Sequence, residues 1–326
     1  MQTSLSSRRI FLRTAGTLTG GAVLARYASF FDLETRAEML QAATAQADPV
    51  AAMRAQMGAA PIKATPLGER LVMLSGPGGN VIVLHGPDGK HVVDSFVQTA
   101  WGPLKTTLDG LDGGPVKMLI DTHWHFDHAD NNANFRSAGA TVLAHVNTKK
   151  RLSEKHELLG MHFEPVPTAA LPTETFNDKH ALQANGEQIT LSYVPPAHTD
   201  TDIYVYFAQA NVLHMGDLFF NGMYPFIDAG TGGNINGMIL GADRALELTD
   251  ARTKIVPGHG PLGDRGALAK YRAMLATVRD RVRAQKAAGR TLAEVQAAKL
   301  SGDFDAAWGK GMMAPNDFIG LVYNTL

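Results

Sequence analysis

The sequence predicts an α/β protein on three observations: short apolar runs separated by turn residues, helix-like segments after each group of runs, and repetition of that order along the chain. Of the 326 residues 45% are hydrophobic and 19% charged, the composition of a globular chain long enough to bury a large core. A formal net charge of -1, with no basic run recurring past the N-terminus, gives no electrostatic case for binding nucleic acid. The absence of cysteine excludes disulfides and thiolate metal ligands alike.

The chain begins with Ser7-Arg8-Arg9-Ile10-Phe11-Leu12-Arg13 ahead of Thr14 to Ala25, a stretch without charge and only mildly apolar. This looks like a twin-arginine export signal, which implies the twin-arginine machinery as a partner and a periplasmic location. Small-x-small cleavage sites occur at Val23-Leu24-Ala25 and Ala45-Gln46-Ala47, and cleavage after Ala47 is preferred. The expected organisation is a signal over 1–47 and one domain over 48–326, with a helical extension from about 264. No segment is long and apolar enough to cross a bilayer, so no membrane association is expected once the signal is removed.

From Glu69 onward, Leu71 to Leu74, Val81 to Leu84 and Val92 to Val97 read as antiparallel strands. Gly76-Pro77-Gly78-Gly79 and Gly86-Pro87-Asp88-Gly89 supply the turns between them. Val116 to Ile120 is a short buried strand, and Ala129 to Ala138 a helix closed by Gly139. Thr141 to His145 is another strand, followed by a charged helix around Asn147 to Leu159 and a Pro- and Thr-rich loop over Gly160 to Thr175. A second strand group comprises Gln188 to Val194, Ile203 to Phe207 and Val212 to Met215, and a Gly-rich connection runs from Asp228 to Gly237. Leu268, Tyr271, Leu275, Val278 and Val282 recur at spacings of three and four, an amphipathic helix over Asp264 to Ala288. Thr291-Leu292-Ala293-Glu294 has the form of a capping box opening the next helix, and Ala314 to Leu326 reads as a last one.

Between the strand at Val116 and the helix after it stands Asp121-Thr122-His123-Trp124-His125-Phe126-Asp127-His128. In an extended loop, residues two apart point the same way, so His123 and His125 can converge on one cation while Asp127 and His128 turn toward a second. Imidazole and carboxylate are ligands that borderline cations such as zinc accept. A lone His-x-His pair is as easily a solvated surface feature; His-x-His-x-Asp-His directly after a strand is not. Three more strand ends have the same character: His198 in Pro195-Pro196-Ala197-His198, Asp217 in His214-Met215-Gly216-Asp217, and His259 in Pro257-Gly258-His259-Gly260. Each alone suits a structural residue, whereas four clusters of one chemical type in one chain point to a shared site.

With its motifs in this order, the sequence resembles the metallo-beta-lactamase fold superfamily over roughly Gly68 to Gly263. The resemblance implies an αββα four-layer sandwich. It implies that His123, His125 and His198 hold a first metal, that Asp127, His128 and His259 hold a second, and that Asp217 bridges them. The ions would be two Zn2+ per chain, and Asp127 and Asp217 would take the catalytic roles. Asp94, ending a strand, resembles the family's buried aspartate behind the site.

Well-known beta-lactamases of this fold carry Cys or Ser where this chain has Asp217, whereas thioesterases, lactonases and phosphodiesterases keep Asp. The flavodiiron branch has Glu in place of His125. The expected function is a periplasmic dinuclear zinc hydrolase whose metal-bridging hydroxide cleaves a cyclic amide or ester, a beta-lactam or a lactone. The alternatives are a thioesterase or phosphodiesterase with the same metals, and a noncatalytic metal-binding accessory protein of an exported redox pathway. Trp101, Phe220, Tyr224 and Phe226 are candidate pocket walls for the small-molecule substrate. The remaining histidines stay outside the metal set, His162 in the Pro-rich loop being the first candidate among them to touch substrate.

Overall fold

The computed structural model describes residues 48–326; the expected signal, its arginines and both cleavage sites lie outside the described residues. Alternation along each strand separates two apolar faces, and two large sheets result. The first has the spatial order β1 (Lys63–Pro66), β2 (Leu71–Gly76), β3 (Gly78–Leu84), β4 (Lys90–Val93), β5 (Val116–Ile120), β6 (Thr141–His145), β9 (Glu174–Phe176). The second runs β10 (Lys179–Ala184), β11 (Glu187–Tyr193), β12 (Ile203–Phe207), β13 (Val212–His214), β14 (Lys254–Val256), β15 (Gly263–Asp264). Leu71, Met73, Ile82, Val93, Ile120 and Leu143 of the first sheet share one core with Ile189, Leu191, Ile203, Val205 and Phe207 of the second. Their neighbours Val72, Leu74, Val83, Val92, Leu119 and Val142 belong to a different cluster, under the helices. Residues one apart thus enter opposite layers, which is the two-residue period of a strand buried on both faces.

Parallel pairs require crossovers, and the crossovers supply the outer layers. β4 and β5 are parallel, with α2 (Trp101–Asp109) between them; β5 and β6 are parallel, with α3 (Phe126–Ala129) and α4 (Asn132–Ser137) between them. After β6 comes α5 (Val146–Leu152), and α6 (Ile235–Leu248) lies between the parallel β13 and β14. α7 (Arg265–Ala287) buries Leu268, Tyr271, Leu275, Val278 and Val282, as the spacing predicts, with Asp264 accepting from the Ala267 N–H at 2.7 Å as its cap. Thr291 and Glu294 form the expected capping box of α8 (Leu292–Ala297). α9 (Gly302–Trp308) and α10 (Pro315–Asn324) complete the extension, and α1 (Pro49–Gly58) precedes the first sheet. The architecture is the expected αββα sandwich. No helix among the described residues is long and apolar enough to cross a membrane.

Five local expectations are corrected. The strand expected over Val92 to Val97 stops at Val93, because Asp94 and Phe96 adopt φ of 64° and 61°, the left-handed region where a ladder cannot continue. The helix expected over Ala129 to Ala138 starts earlier and is broken, so Asp127 and His128 stand on the turn α3 rather than on an extended loop. The charged helix expected to reach Leu159 ends at Leu152. Leu159 and Gly160, with φ of 56° and 75°, make a two-residue turn joining β7 (His156–Leu158) to β8 (Met161–Phe163). The stretch expected as a loop to Thr175 therefore contains β8 and the start of β9. α6 was hidden behind the Gly-rich connection; Asn234 starts it by accepting from the Gly237 N–H at 2.8 Å.

Candidate metal centre

The carboxyl ends of parallel strands are where an open α/β sheet leaves a crevice, and the charged groups gather there. Asp94 follows β4, the His123–His128 stretch follows β5, Asp217 follows β13 and His259 follows β14. His198 sits in the turn between β11 and β12, where the Asp202 carboxylate accepts the N–H groups of His198 and Thr199, each at 2.8 Å. The Asn80 side chain donates to the Pro257 and Gly260 carbonyls, both at 2.9 Å, which fixes the loop carrying His259. Gly258 is required by close approach: a Cβ there would lie 1.9 Å from Asp217 Oδ1.

All seven expected ligands meet in two buried groups. His123, His125, His198 and Asp217 form one, and Asp127, His128 and His259 the other, with the ligand atoms of each group within 4.8 Å of one another. Asp217 spans both. Its Oδ2 is 3.9 Å from His123 Nε2, 3.7 Å from His198 Nε2 and 3.4 Å from His259 Nε2, while its Oδ1 is 3.2 Å from His128 Nε2. Asp127 Oδ2 is 3.3 Å from His259 Nε2 and 3.7 Å from His128 Nε2.

The outer nitrogen of three imidazoles faces a carboxylate, which fixes ring orientation and leaves the other nitrogen for a ligand. His128 Nδ1 lies 2.7 Å from Asp94 Oδ2, His198 Nδ1 3.4 Å from Asp202 Oδ1, and His125 Nε2 3.3 Å from Asp228 Oδ2. Asp94 also accepts from the Thr122 N–H and hydroxyl, both at 2.8 Å. Asp202, Asp228 and His214 are the residues that sequence reasoning missed. His214 lies 3.5 Å from Asp94 Oδ2. Asp228 gave no signal beyond a carboxylate at the head of the Gly-rich connection. Asp121, the first acid of the dense motif, belongs to neither group and instead accepts from Asn132 Nδ2 at 2.8 Å.

Protonation follows from burial set against opposite charge. Burial, joined by the neighbouring His128 charge, holds His123 well below the usual imidazole range, and burial also lowers His125. Burial would lower His128 too, but Asp217, Asp94 and Asp127 outweigh it and push it well up. In the same way Asp217 and Asp127 overcome burial and raise His259 to about 9. Burial raises Asp94 and Asp228, yet His128 brings the first and His125 the second down to about 2. The carboxylates are therefore ionised, and imidazolium protons stand where a cation's charge would otherwise compensate them.

Whether these residues fit metal ions is answered by four atoms. His123 Nε2, His128 Nε2, His198 Nε2 and Asp217 Oδ1 are buried without a hydrogen-bond partner. Buried polar atoms are ordinarily satisfied, and four orphans drawn from the two adjoining groups fit ligand atoms left free for cations.

His125, Asp127, Asp217 and His259 line a cleft of about 860 Å³ counted out to its open mouth, with Phe226 and Leu158 on its walls. Of the four aromatics expected as walls, only Phe226 lines it. Phe220 is buried and stacks on His259 at 5.3 Å. Tyr224 is buried against Phe318 at 4.6 Å, its hydroxyl donating to Asp305 at 2.7 Å. Trp101 packs edge-on against Phe135. Phe220 and Tyr224 thus fill the core, and Trp101 is half-buried against it. His162, on β8, lines a neighbouring cavity rather than this cleft. The glycines after Pro77 do more than turn the chain, since a Cβ at Gly79 would strike the His128 ring at 2.0 Å.

The chain belongs to the metallo-beta-lactamase superfamily, whose sequence pattern matches residues 74–280. Solved structures of similar fold include a metallo-beta-lactamase from Pontibacter korlensis, at TM-score 0.56 and 18% identity, covering 66% of this chain and 99% of that one. The stereoselective inverting sec-alkylsulfatase Pisa1 from Pseudomonas sp. is similar at TM-score 0.64 and 17% identity, covering 81% of this chain and 50% of that one. DIM-1 metallo-beta-lactamase is similar at TM-score 0.53 and 18% identity, covering 67% of this chain and 98% of that one. At such identities the likeness speaks for the fold. Family and buried ligand groups together define a metal-dependent hydrolase.

Proposed function

We propose that the protein is a dinuclear zinc hydrolase that cleaves a cyclic amide or an ester, with beta-lactams and lactones as the leading substrates. We propose further that residues 1–47 are a twin-arginine signal, that 48–326 form the periplasmic enzyme, and that the stretch from about 264 is its helical extension. The observation that carries the dinuclear reading is Asp217, whose two oxygens stand within 3.9 Å of four imidazole nitrogens drawn from both groups. A carboxylate so placed can give one oxygen to each of two cations, and an all-His/Asp set suits zinc.

His123, His125 and His198 would hold one ion, Asp127, His128 and His259 the other, and Asp217 both. When bound, the ions would supply a hydroxide nucleophile at neutral pH and positive charge for the oxygen or nitrogen that leaves. The chain's own residues do the rest. Asp94, Asp202 and Asp228 keep three imidazoles in one orientation. His123, His128 and His198 are fully buried behind the site, whereas Asp127 and His259 are 8% exposed and face the cleft. Asp127, at the cleft face, would accept the nucleophile's proton and return it to the leaving group. Phe226 and Leu158 exclude water from one side of the reacting carbonyl.

A thioester fits the same carbonyl chemistry and Asp217 admits it, making thioesterase the second reading. Purified zinc-loaded protein assayed on a chromogenic beta-lactam, a lactone, a thioester and a phosphodiester tests the proposal. Turnover of the lactam or lactone is expected. Turnover of the phosphodiester alone, or of none with both ions in place, would contradict it.

A further inference from the structure

The cleft is closed by two segments outside the family match at 74–280: α1 contributes Met53, Gln56 and Met57, and the bend before α10 contributes Met312. None of the cleft's lining residues is Lys or Arg. The arginine of α1, Arg54, is engaged elsewhere, holding Asp130 in two hydrogen bonds of 2.6 Å with its guanidinium 5.7 Å from the centre of the Phe126 ring. An anionic group entering between Met53, Met57 and Met312 would lose its hydration and meet no side-chain cation in return. Methionine, unbranched and polarisable, adapts instead to flexible aliphatic groups.

Gln56 stands out in this apolar wall. Its Oε1 and Nε2 are both buried, and neither has a hydrogen-bond partner. An amide with donor and acceptor both unmet lowers stability, and it is explained if a ligand completes it. Resting on the carbonyl-hydrolase reading above, we infer that the cleft selects uncharged carbonyl compounds bearing a flexible apolar chain, and that Gln56 binds their neutral polar group. Lactones and esters with medium-length acyl chains fit this description. Beta-lactams presenting a free carboxylate do not.

The test separates selection from catalysis by measuring binding of ligands that the enzyme does not cleave. N-octylpyrrolidinone and the same molecule with a sulfonate at the chain end are titrated calorimetrically into the zinc-loaded protein, wild type, Gln56→Leu and Met57→Arg, with zinc content measured for each. Wild type should bind the neutral ligand at least about tenfold more tightly than the sulfonate. Gln56→Leu should weaken the neutral ligand about tenfold at unchanged zinc content, the loss expected for one buried hydrogen bond. Met57→Arg should shrink or reverse the preference. Equal affinity for the two ligands, a preference for the sulfonate, or no binding of either by wild type would overturn the inference, whatever the substrate panel shows. An unchanged neutral-ligand affinity in Gln56→Leu would remove Gln56 from it. Failure of the hydrolase reading would show separately, as absence of turnover.

Discussion

Replacing Asp94 by Asn should weaken the second metal group selectively. Asp94 is fully buried and has φ of 64°, a conformation that Asn tolerates as well as Asp, so the substitution removes charge without adding backbone strain. The carboxylate accepts three hydrogen bonds, at 2.8 Å from the Thr122 N–H, 2.8 Å from the Thr122 hydroxyl and 2.7 Å from His128 Nδ1. Asn keeps one oxygen for the backbone N–H, and the Thr122 hydroxyl can rotate to accept from the new amide. His128 Nδ1, a donor, is left facing a donor or nothing. One charge-assisted hydrogen bond is lost, worth about 1.5–3 kcal/mol. That range overlaps the roughly 10–100-fold loss of metal affinity typical when such outer carboxylates are removed, or about 1.4–2.7 kcal/mol. The loss falls first on the group holding His128, whose ring Asp94 touches directly, whereas His125 and His198 keep Asp228 and Asp202, and His123 meets Asp94 only through the Thr122 hydroxyl 3.0 Å from its Nδ1. Competition with a chromophoric chelator, resolving two affinities, is the assay. Wild-type affinity at both sites, or equal losses at both, would refute the reasoning.

Metal loading should release protons. His259, raised to about 9, and His128, raised well above the usual range, are protonated in the metal-free protein at neutral pH and must be neutral to bind a cation. Affinity at the second group should therefore rise with pH up to about 9, more steeply than at the first, where His123 and His125 are already neutral and only His198 is raised, its burial outweighed by Asp202 and Asp217; calorimetry in buffers of different ionisation enthalpy counts the protons. Leu191→Ala empties a fully buried position between the two sheets and should cost about 2–5 kcal/mol in denaturant unfolding of the metal-free protein. Replacing Arg8 and Arg9 by Lys should hold the protein in the cytoplasm, because Lys lacks the paired donors of Arg; fractionation showing unimpaired export would refute the signal assignment.

The seven candidate ligands were legible because their chemistry is concentrated at strand ends, where a short apolar run fixes the residue that follows it. The groups behind them were less legible, since Asp228 and His214 act through contacts spanning long sequence separations, such as the 103 residues between Asp228 and His125. Asp94 was legible, through the resemblance, as a buried aspartate behind the site, but not as the left-handed residue that ends β4. Local pattern also failed at His156 to Phe163, where charge on α5 ran on into a hairpin whose register is set by a two-residue turn. The cleft walls escaped for another reason. Met53, Gln56, Met57 and Met312 come from the two ends of the described chain, and no periodicity links them.

The most direct test of the central claim, two cations sharing Asp217, is zinc stoichiometry by elemental analysis across a zinc titration, comparing wild type with Asp217→Asn. His180→Ala, in β10 and outside both groups, serves as the control. Wild type and the control should hold two ions per chain. Asp217→Asn should lose the ion at Asp127, His128 and His259 first, with turnover falling by orders of magnitude at low zinc and recovering only in part as zinc is raised. One ion or none in fully reconstituted wild type, or two tightly held ions with full activity in Asp217→Asn, would contradict it.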